Sequence, residues 1–401
     1  MISRYRQVLG LPGALAFSAS GLVARLPISM VSLGIVLLVS TRSGSYGLAG
    51  TVSAAYIIAN AVFAVPQGRL VDRLGQSRVL PWTILAFAVG LATTMAAVEN
   101  GWPDAVALVS AAVAGAAMPQ IGSCVRARWS ALLPDKRRLQ TAFAFEAAVD
   151  EAVFMIGPTM VTFLATKVHP LAGLGAAITA AVVGTVALTV QRHTEPPATH
   201  RTRSDGRHEP LGWAVLGPLV LAAVALGVLF GATEVTTVAF SAELGRKALS
   251  GALLATWALG SLLSGLVTGA MHLKTTNRTR FRWGLLVLAL LMLPLPFVGG
   301  FGLMAVFLFL SGFAISPTLI ASVGWIEETV PQGRLTEGIS IVTTGLAAGV
   351  APGAAVAGHV IDAYGASVGY WVPAAAGLLG AAIAFGTALR PRIRPRQPSP
   401  T

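Results

Sequence analysis

The sequence is a series of long apolar runs separated by short segments that carry most of the charges. A helix needs about 20 mostly apolar residues to cross the hydrocarbon core of a bilayer. Charged residues make up only 11% of the chain and hydrophobic residues 55%, whereas about 25% of the residues in a soluble domain are charged. Lipid can solvate such a surface if the backbone groups are paired within helices. The pattern therefore predicts an all-α membrane protein and excludes a soluble globular enzyme.

Twelve membrane-spanning helices are predicted, in two groups of six on either side of a polar segment. The expected ranges are 12–40, 47–68, 79–98, 104–131, 139–166, 171–191, 211–241, 249–270, 281–299, 301–327, 336–361 and 368–389. This gives an N-terminal six-helix bundle over 1–191, a linker over 192–210 and a C-terminal six-helix bundle over 211–389. The basic, proline-rich segment 390–401 is expected to be disordered.

The basic residues indicate an orientation. With the N-terminus placed in the cytoplasm, 23 of the 28 Lys and Arg residues fall on the cytoplasmic side. The other side receives Arg42, Lys167, Arg246 and Lys247, and Arg25 lies within the first span. Such a bias is the positive-inside pattern. It predicts a bacterial inner-membrane protein with both termini in the cytoplasm and basic loops that attract anionic lipid headgroups. The net charge of +12 is thus a topology signal and does not indicate nucleic-acid binding.

The two halves carry traces of an internal repeat. The predicted fifth helix follows a Pro-Asp-Lys-Arg-Arg-Leu segment and contains Gly157-Pro158, while the eleventh follows Pro-Gln-Gly-Arg-Leu and contains Pro352-Gly353. Proline removes a helical hydrogen bond, and its occurrence at a similar depth in both halves favours a repeat of the kind common in secondary transporters. Gly157 and Pro158 are a predicted hinge of the fifth helix. Two ordinary kinks would explain the same residues.

A signature lies between the second and third predicted helices, in the segment Gly68-Arg-Leu-Val-Asp-Arg-Leu-Gly-Gln-Ser-Arg-Val-Leu80. It resembles the cytoplasmic loop motif of the major facilitator superfamily, G-x-L-A-D-R-x-G-R-K-x-x-L. Six positions match, and Gln76 and Ser77 replace the basic pair, with Arg78 as a displaced charge. Gly68 is expected to allow close approach of a helix and Gly75 a tight turn.

The resemblance implies the twelve-helix facilitator fold and transport by alternating access. It also implies that this loop latches the two bundles in the outward-facing state. The gating residues would then be Gly68, Asp72, Arg73, Gly75 and Arg78, with Asp72 capping a helix N-terminus or pairing with arginine.

Several charges fall inside predicted spans, where each costs about 2.5–3.5 kcal/mol if left unpaired. We predict a buried network that links three basic residues to three acids of the fifth helix: Arg25, Arg126, Arg128, Glu146, Asp150 and Glu151. Two interpretations remain open. The network is either a static clasp of the N-terminal bundle, or one carboxylate, Asp150 or Glu151, binds and releases a proton.

Glu234 is the acid in the body of the seventh predicted helix. In the facilitator fold this helix borders the central cavity, so Glu234 is a candidate to contact a cationic solute or to take a coupling proton. Asn60, Gln120 and Trp257 are weaker candidates for the cavity wall, since isolated polar and aromatic residues in spans also serve helix packing.

In the predicted fifth helix, Gly157-Pro158 resembles the Gly-Pro end of a glycine-rich motif that superfamily exporters carry in the same helix. This resemblance favours a proton-coupled exporter of a lipophilic or drug-like solute. An importer of a small nutrient and a non-transporting receptor or scaffold are the alternatives. No nucleotide loop, metal-ligand spacing or nucleophile motif is present, and Cys124 is the one cysteine. We therefore expect a protein that is not an enzyme and that uses no cofactor or metal. The resemblance to the superfamily implies that it works as a monomer.

Overall fold

The structure is a computed structural model, and it describes residues 7–198, 213–270, 275–330 and 335–386. Twelve long helices follow one another. They are α1 (Ala14–Ser43), α2 (Tyr46–Leu74), α3 (Gln76–Glu99), α4 (Asp104–Leu132), α5 (Lys136–Phe163), α6 (Ala172–Val190), α7 (Trp213–Glu243), α8 (Ser250–Ala270), α9 (Asn277–Met292), α10 (Phe301–Thr329), α11 (Leu335–Tyr364) and α12 (Ala366–Gly386). No strand occurs in these described ranges.

Eleven helices of the described residues are long and apolar enough to cross a membrane. The remaining one is α5, which carries the predicted acids at 146, 150 and 151. Its apolar stretch therefore begins only at Ala152 and continues past Phe163 through a π-helical turn to Val168. The prediction of an all-α protein with two groups of six helices is confirmed. The helix ends differ from the predicted ends by a few residues.

Three helices break near mid-length. α1 is interrupted at Leu26, before Pro27; α4 is interrupted before Ile121, at a segment that contains Pro119; α10 is interrupted at Phe313. Proline cannot donate the helical hydrogen bond, which explains the first two breaks. Arg25 is the last residue before the break in α1, and this position places its side chain inside the bundle.

The chain alternates between two faces, and we name each by its residues. The linker face holds Gly75, between α2 and α3, and the turn Arg192–Thr194 after α6. The far face holds the α1–α2 connection at Gly44 and Ser45 and the turn Lys247–Leu249 before α8. Residues 199–212, most of the predicted linker, and the predicted tail 390–401 lie outside the described residues.

The α2–α3 connection is shorter than the signature suggested. We expected a loop from Gly68 to Arg78, but Arg69 to Leu74 continue α2 and Gln76 already begins α3. Gly75 alone makes the turn, with φ at 91° and ψ at 154°. A positive φ is strained for any residue with a Cβ, so the expected role of Gly75 in a tight turn agrees with its geometry.

Candidate functional site

The predicted charge network forms in part, inside the N-terminal bundle. Arg25 Nη1 lies 2.7 Å from Asp150 Oδ1, and Arg25 Nη2 forms an ion pair with Glu146 Oε2. Arg126 Nη2 lies 2.6 Å from the other oxygen of Asp150. The structure thus brings Arg25, Arg126, Glu146 and Asp150 together from α1, α4 and α5, and Asp150 bridges two guanidinium groups.

Glu146 is the most enclosed acid of this cluster, with no exposed surface. Besides Arg25, its carboxylate accepts hydrogen bonds from Ser18 Oγ at 2.6 Å and Trp129 Nε1 at 2.8 Å. Phe17 packs edge-on against Trp129, with ring centroids 4.7 Å apart. A buried carboxylate is stable only when its lone pairs are satisfied. Glu146 meets that condition within one bundle.

Arg128 does not join this cluster, contrary to our prediction. It is fully buried and its guanidinium instead donates to Gln76 Oε1 and to the carbonyl oxygens of Leu188 and Gln191, and its Nη1 also to Thr194 Oγ1. The carbonyl groups at the end of α6 have no helical partner, and the guanidinium satisfies them. Gln76, which departs from the signature's basic pair, is the side chain that receives Arg128. The side chain of Glu151 is not among those that the structure describes.

The signature residues lie at the linker end of α2, where the described residues do not make several of the expected contacts. Asp72 and Arg73 are exposed and have no hydrogen-bond or ion-pair partner among the described residues. A Cβ added at Gly68 would meet nothing within 4 Å, so no helix among the described residues approaches closely at that point. Arg78 is exposed as well. The first turn of α3 is capped by Glu195, whose Oε1 accepts from Ser77 N at 2.9 Å, and not by Asp72.

Glu234 of α7 reaches across to the N-terminal bundle. Its Oε1 accepts a hydrogen bond from Ser32 Oγ of α1 at 2.8 Å, and Ser32 Oγ lies 3.0 Å from Ser53 Oγ of α2. Glu234 is partly exposed and has no ion-pair partner among the described residues. A chain of hydrogen bonds therefore links α7 of one bundle to α1 and, through Ser32, to α2 of the other. Ser32 and Ser53 were not among the predicted site residues, because isolated serines in spans form no recognisable sequence motif.

The weaker candidates for the cavity wall bond mainly within their own bundle. Asn60 Nδ2 donates to Gly115 O at 3.3 Å, and Gln120 Nε2 donates to Met118 O at 3.2 Å beside the break in α4. Trp257 of α8 packs edge-on against Phe230 of α7 at 5.4 Å between ring centroids. Because Phe230 lies one helical turn before Glu234, this aromatic pair lies on the side of α7 that carries the acid.

Gly157 and Pro158 lie where α5 contacts two other helices. A Cβ at Gly157 would lie 1.9 Å from Ser29 Oγ of α1, and a Cβ at Gly251 of α8 would lie 2.3 Å from Pro158 O. The predicted hinge is thus a point of close packing, inside an α5 that continues as a helix through Pro158.

Further contacts join the bundles at the far face. A Cβ at Gly50 of α2 would lie 2.5 Å from Ala354 O of α11, and one at Gly358 would lie 2.3 Å from Tyr46 O. Two backbones approach there without side chains between them.

The comparisons with known proteins settle the family. The family model for the Major Facilitator Superfamily matches residues 17–302 and residues 219–401, which together span nearly the whole chain. The chain belongs to the Major Facilitator Superfamily. As a member of this transporter superfamily it is a multi-pass membrane protein, and the prediction from the α2–α3 signature is confirmed at that level.

Solved structures of other transporters share the superfamily fold. The nucleoside transporter NupG is 13% identical with a TM-score of 0.72, covering 93% of this chain and 99% of that one. A bacterial homologue of the iron transporter ferroportin, in an inward-facing state, is 15% identical with a TM-score of 0.69, covering 94% and 99%. The human organic anion transporter MFSD10 is 16% identical with a TM-score of 0.62, covering 92% and 98%. At these identities the likeness shows the fold alone. A search of curated protein sequences gives no significant match.

Proposed function

We propose that this superfamily member is a proton-coupled exporter of a small lipophilic solute and that Glu234 carries the coupling proton. The observation that supports this role is the bond between Glu234 and Ser32, which crosses between the two bundles. A carboxylate in a span costs about 2.5–3.5 kcal/mol without a compensating partner, and hydroxyl groups compensate it only in part. A proton on the free oxygen removes the charge and lets the acid remain at the bundle interface.

The hydrogen bond between Ser32 and Glu234 can also couple proton binding to movement of the two bundles. When the bundles separate at the level of Ser32, Glu234 loses its hydroxyl partner and becomes accessible to water or to solute. Loss of the proton then favours a hydrated or cation-paired carboxylate, which does not fit the closed interface. Proton and solute therefore compete for one group, as exchange transport requires. The adjacent Phe230 and Trp257 rings offer an apolar surface that suits a lipophilic molecule.

In this proposal the linker face is cytoplasmic, both termini included, and the chain is a monomer of a bacterial inner membrane whose basic loops lie near anionic lipid. The structure then represents the inward-facing state, since the bundles contact each other at the far face while Asp72 and Arg73 are exposed. The signature residues Gly68, Asp72, Arg73, Gly75 and Arg78 act as the latch of the opposite state. Arg25, Arg126, Glu146 and Asp150 act as a static clasp of the N-terminal bundle.

The test is transport by purified protein in proteoliposomes under an imposed pH gradient, with a panel of lipophilic cations and neutral antibiotics and a dye that reports proton movement. We expect solute movement opposite to proton movement. Glu234→Gln should abolish proton-driven transport, because the amide cannot release a proton. Glu243→Gln, which alters an acid at the end of the same helix, should retain it.

Three results would count against the proposal. Retention of coupled transport by Glu234→Gln removes the assigned role of the acid. Movement of solute and proton in the same direction indicates import. The absence of any gradient-dependent movement across the panel contradicts the proposed solute class.

A further inference from the structure

Two charged side chains of the C-terminal bundle bind helix ends of the N-terminal bundle at the far face. Asp362, in the last turn of α11, accepts hydrogen bonds from Tyr46 N and Gly47 N at 2.7 Å each and from Ser45 Oγ at 2.7 Å. Ser45 is also the N-cap of α2, with its Oγ accepting from Leu48 N at 3.0 Å. Asp362 and Ser45 together satisfy the first three backbone N–H groups of α2, which no helical carbonyl can reach.

Lys247 makes the complementary contact at the end of α1. Its Nζ lies 3.0 Å from Ser40 Oγ and 2.8 Å from Thr41 Oγ1, and 5.9 Å from the centre of the Tyr46 ring. Ser40 and Thr41 belong to the last turn of α1, which ends at Ser43. A cation is favourable near the C-terminal end of a helix.

Both charges lie at the unfavourable end of their own helix. Asp362 is an anion near the C-terminal end of α11, and Lys247 is a cation in the turn that leads into α8. The helix dipole favours the opposite placement in each case. Within the part of the chain that the structure describes, each charge is matched by the facing helix of the other bundle, so these favourable interactions exist while the far face is closed.

We propose that Asp362 and Lys247 form a gate that closes the far face by binding the N-terminal end of α2 and the C-terminal end of α1. The closed gate excludes water from the bundle interface while the linker face is open. When the far face opens, α2 loses two of its N–H partners and both charges return to the wrong end of their own helices. The gate rests on the alternating-access function proposed above.

Glu243 provides a matched control, because it uses the same chemistry within one bundle. At the C-terminal end of α7 its Oε1 accepts from Ala366 N, the first residue of α12, at 2.7 Å. Arg246 is the exposed neighbour of Lys247 and controls for a loss of positive charge at the same face.

The experiment is a distance measurement by double electron–electron resonance on the full chain in nanodiscs. Spin labels are attached at Asn100→Cys and Gly299→Cys in a Cys124→Ser background. Both positions lie at the far face, one in each bundle, and a Cβ at Gly299 would meet nothing within 4 Å. Asp362→Asn and Lys247→Gln should each raise the ratio of far-face-open to far-face-closed distances about tenfold, as expected from the loss of one charge-assisted hydrogen bond.

Glu243→Gln and Arg246→Gln should leave the distance distribution unchanged. The gate is wrong if Asp362→Asn and Lys247→Gln give the same distribution as these two controls. Should Asp362→Asn fail to yield folded protein, Lys247→Gln is judged by the same criterion. The distance measurement needs no solute. If no solute of the panel is transported, the proposed function is contradicted, but the distances still decide whether the gate exists.

Discussion

The two ends of α2 are held in opposite ways. At the far face its first turn is capped by Asp362 of the other bundle, and Gly50 brings its backbone against α11. At the linker face Asp72 and Arg73 are exposed, and the next helix is capped by Glu195, which follows α6 of the same bundle. The contacts at the far end must break for the bundles to change position, whereas those at the linker end can persist throughout.

An ion pair buried inside the N-terminal bundle should contribute more to stability than an exposed ion pair at the far face. Loss of the buried pair gives the largest expected effect. Glu146→Ala removes the acceptor of Arg25, Ser18 and Trp129 and leaves a buried guanidinium only partly compensated. Breaking a buried pair costs about 3–5 kcal/mol, so the thermal denaturation midpoint in detergent should fall steeply.

The matched variant for this prediction is Glu99→Ala at the far face. Glu99 pairs with Arg42, with exposed fractions of 30% and 37%, and such pairs contribute about 0–1 kcal/mol. If the denaturation midpoint falls equally in Glu146→Ala and Glu99→Ala, the buried Glu146 pair contributes no more to stability than the exposed Glu99 pair.

Substitutions beside the two ends of α2, at Gly358 of the facing helix α11 and at Gly68 of α2 itself, should shift the conformational equilibrium in opposite directions. Gly358→Leu places a side chain where a Cβ alone lies 2.3 Å from Tyr46 O. Overpacking of this kind costs about 1–3 kcal/mol and should favour the far-face-open state in the same distance measurement.

In Gly68→Leu, the Cβ at the linker end has no described residue within 4 Å. The variant should leave the far-face-closed state intact and should obstruct closure of the linker face, because the proposed latch requires close approach there. A shift of both variants toward the same state would contradict the distinction between the two ends.

The smallest expected effect concerns the cap of α3. Glu195→Ala removes the acceptor of Ser77 N, and loss of an N-terminal cap costs about 0.5–2 kcal/mol. The denaturation midpoint should fall slightly, while the far-face distance distribution should stay unchanged, since Glu195 makes its contact within one bundle. Glu327→Ala, at an exposed acid of α10, is the control and should alter neither. A changed far-face distribution in Glu195→Ala would mean that the cap also affects the bundle interface.

The fold follows from the sequence because lipid imposes a helix on each apolar run, and the signature between α2 and α3 identifies the superfamily. The Arg25 cluster was predictable as well, since a charge in a span needs a partner and Glu146 and Asp150 lie one turn apart on the same helix face. The partners of Arg128 were not predictable. Two of the four are backbone carbonyls at the end of α6, which have no signal in the amino-acid sequence, and the other two are the uncharged side chains of Gln76 and Thr194.

Asp362 and Lys247 were missed for a different reason. Each looks like an ordinary charge in a connecting segment, and its partners depend on which face of the molecule is closed. The available signal was their placement at the unfavourable end of their own helices. Asp72, in contrast, was predicted from the motif to pair with arginine or to cap a helix, and it is exposed with neither contact among the described residues.

The most direct test of alternating access is a reversible cross-link across the far face. A Cβ at Gly47 of α2 would lie 3.6 Å from Cγ of His359 of α11, so the two positions adjoin across the bundle interface. It would also lie 2.8 Å from Asp362 Oδ2, so the Asp362 side chain must shift to admit the cysteine. Gly47→Cys with His359→Cys, in a Cys124→Ser background, should stop transport of the responsive panel solute when oxidised and restore it when reduced. Full transport by the completely cross-linked protein would contradict the account.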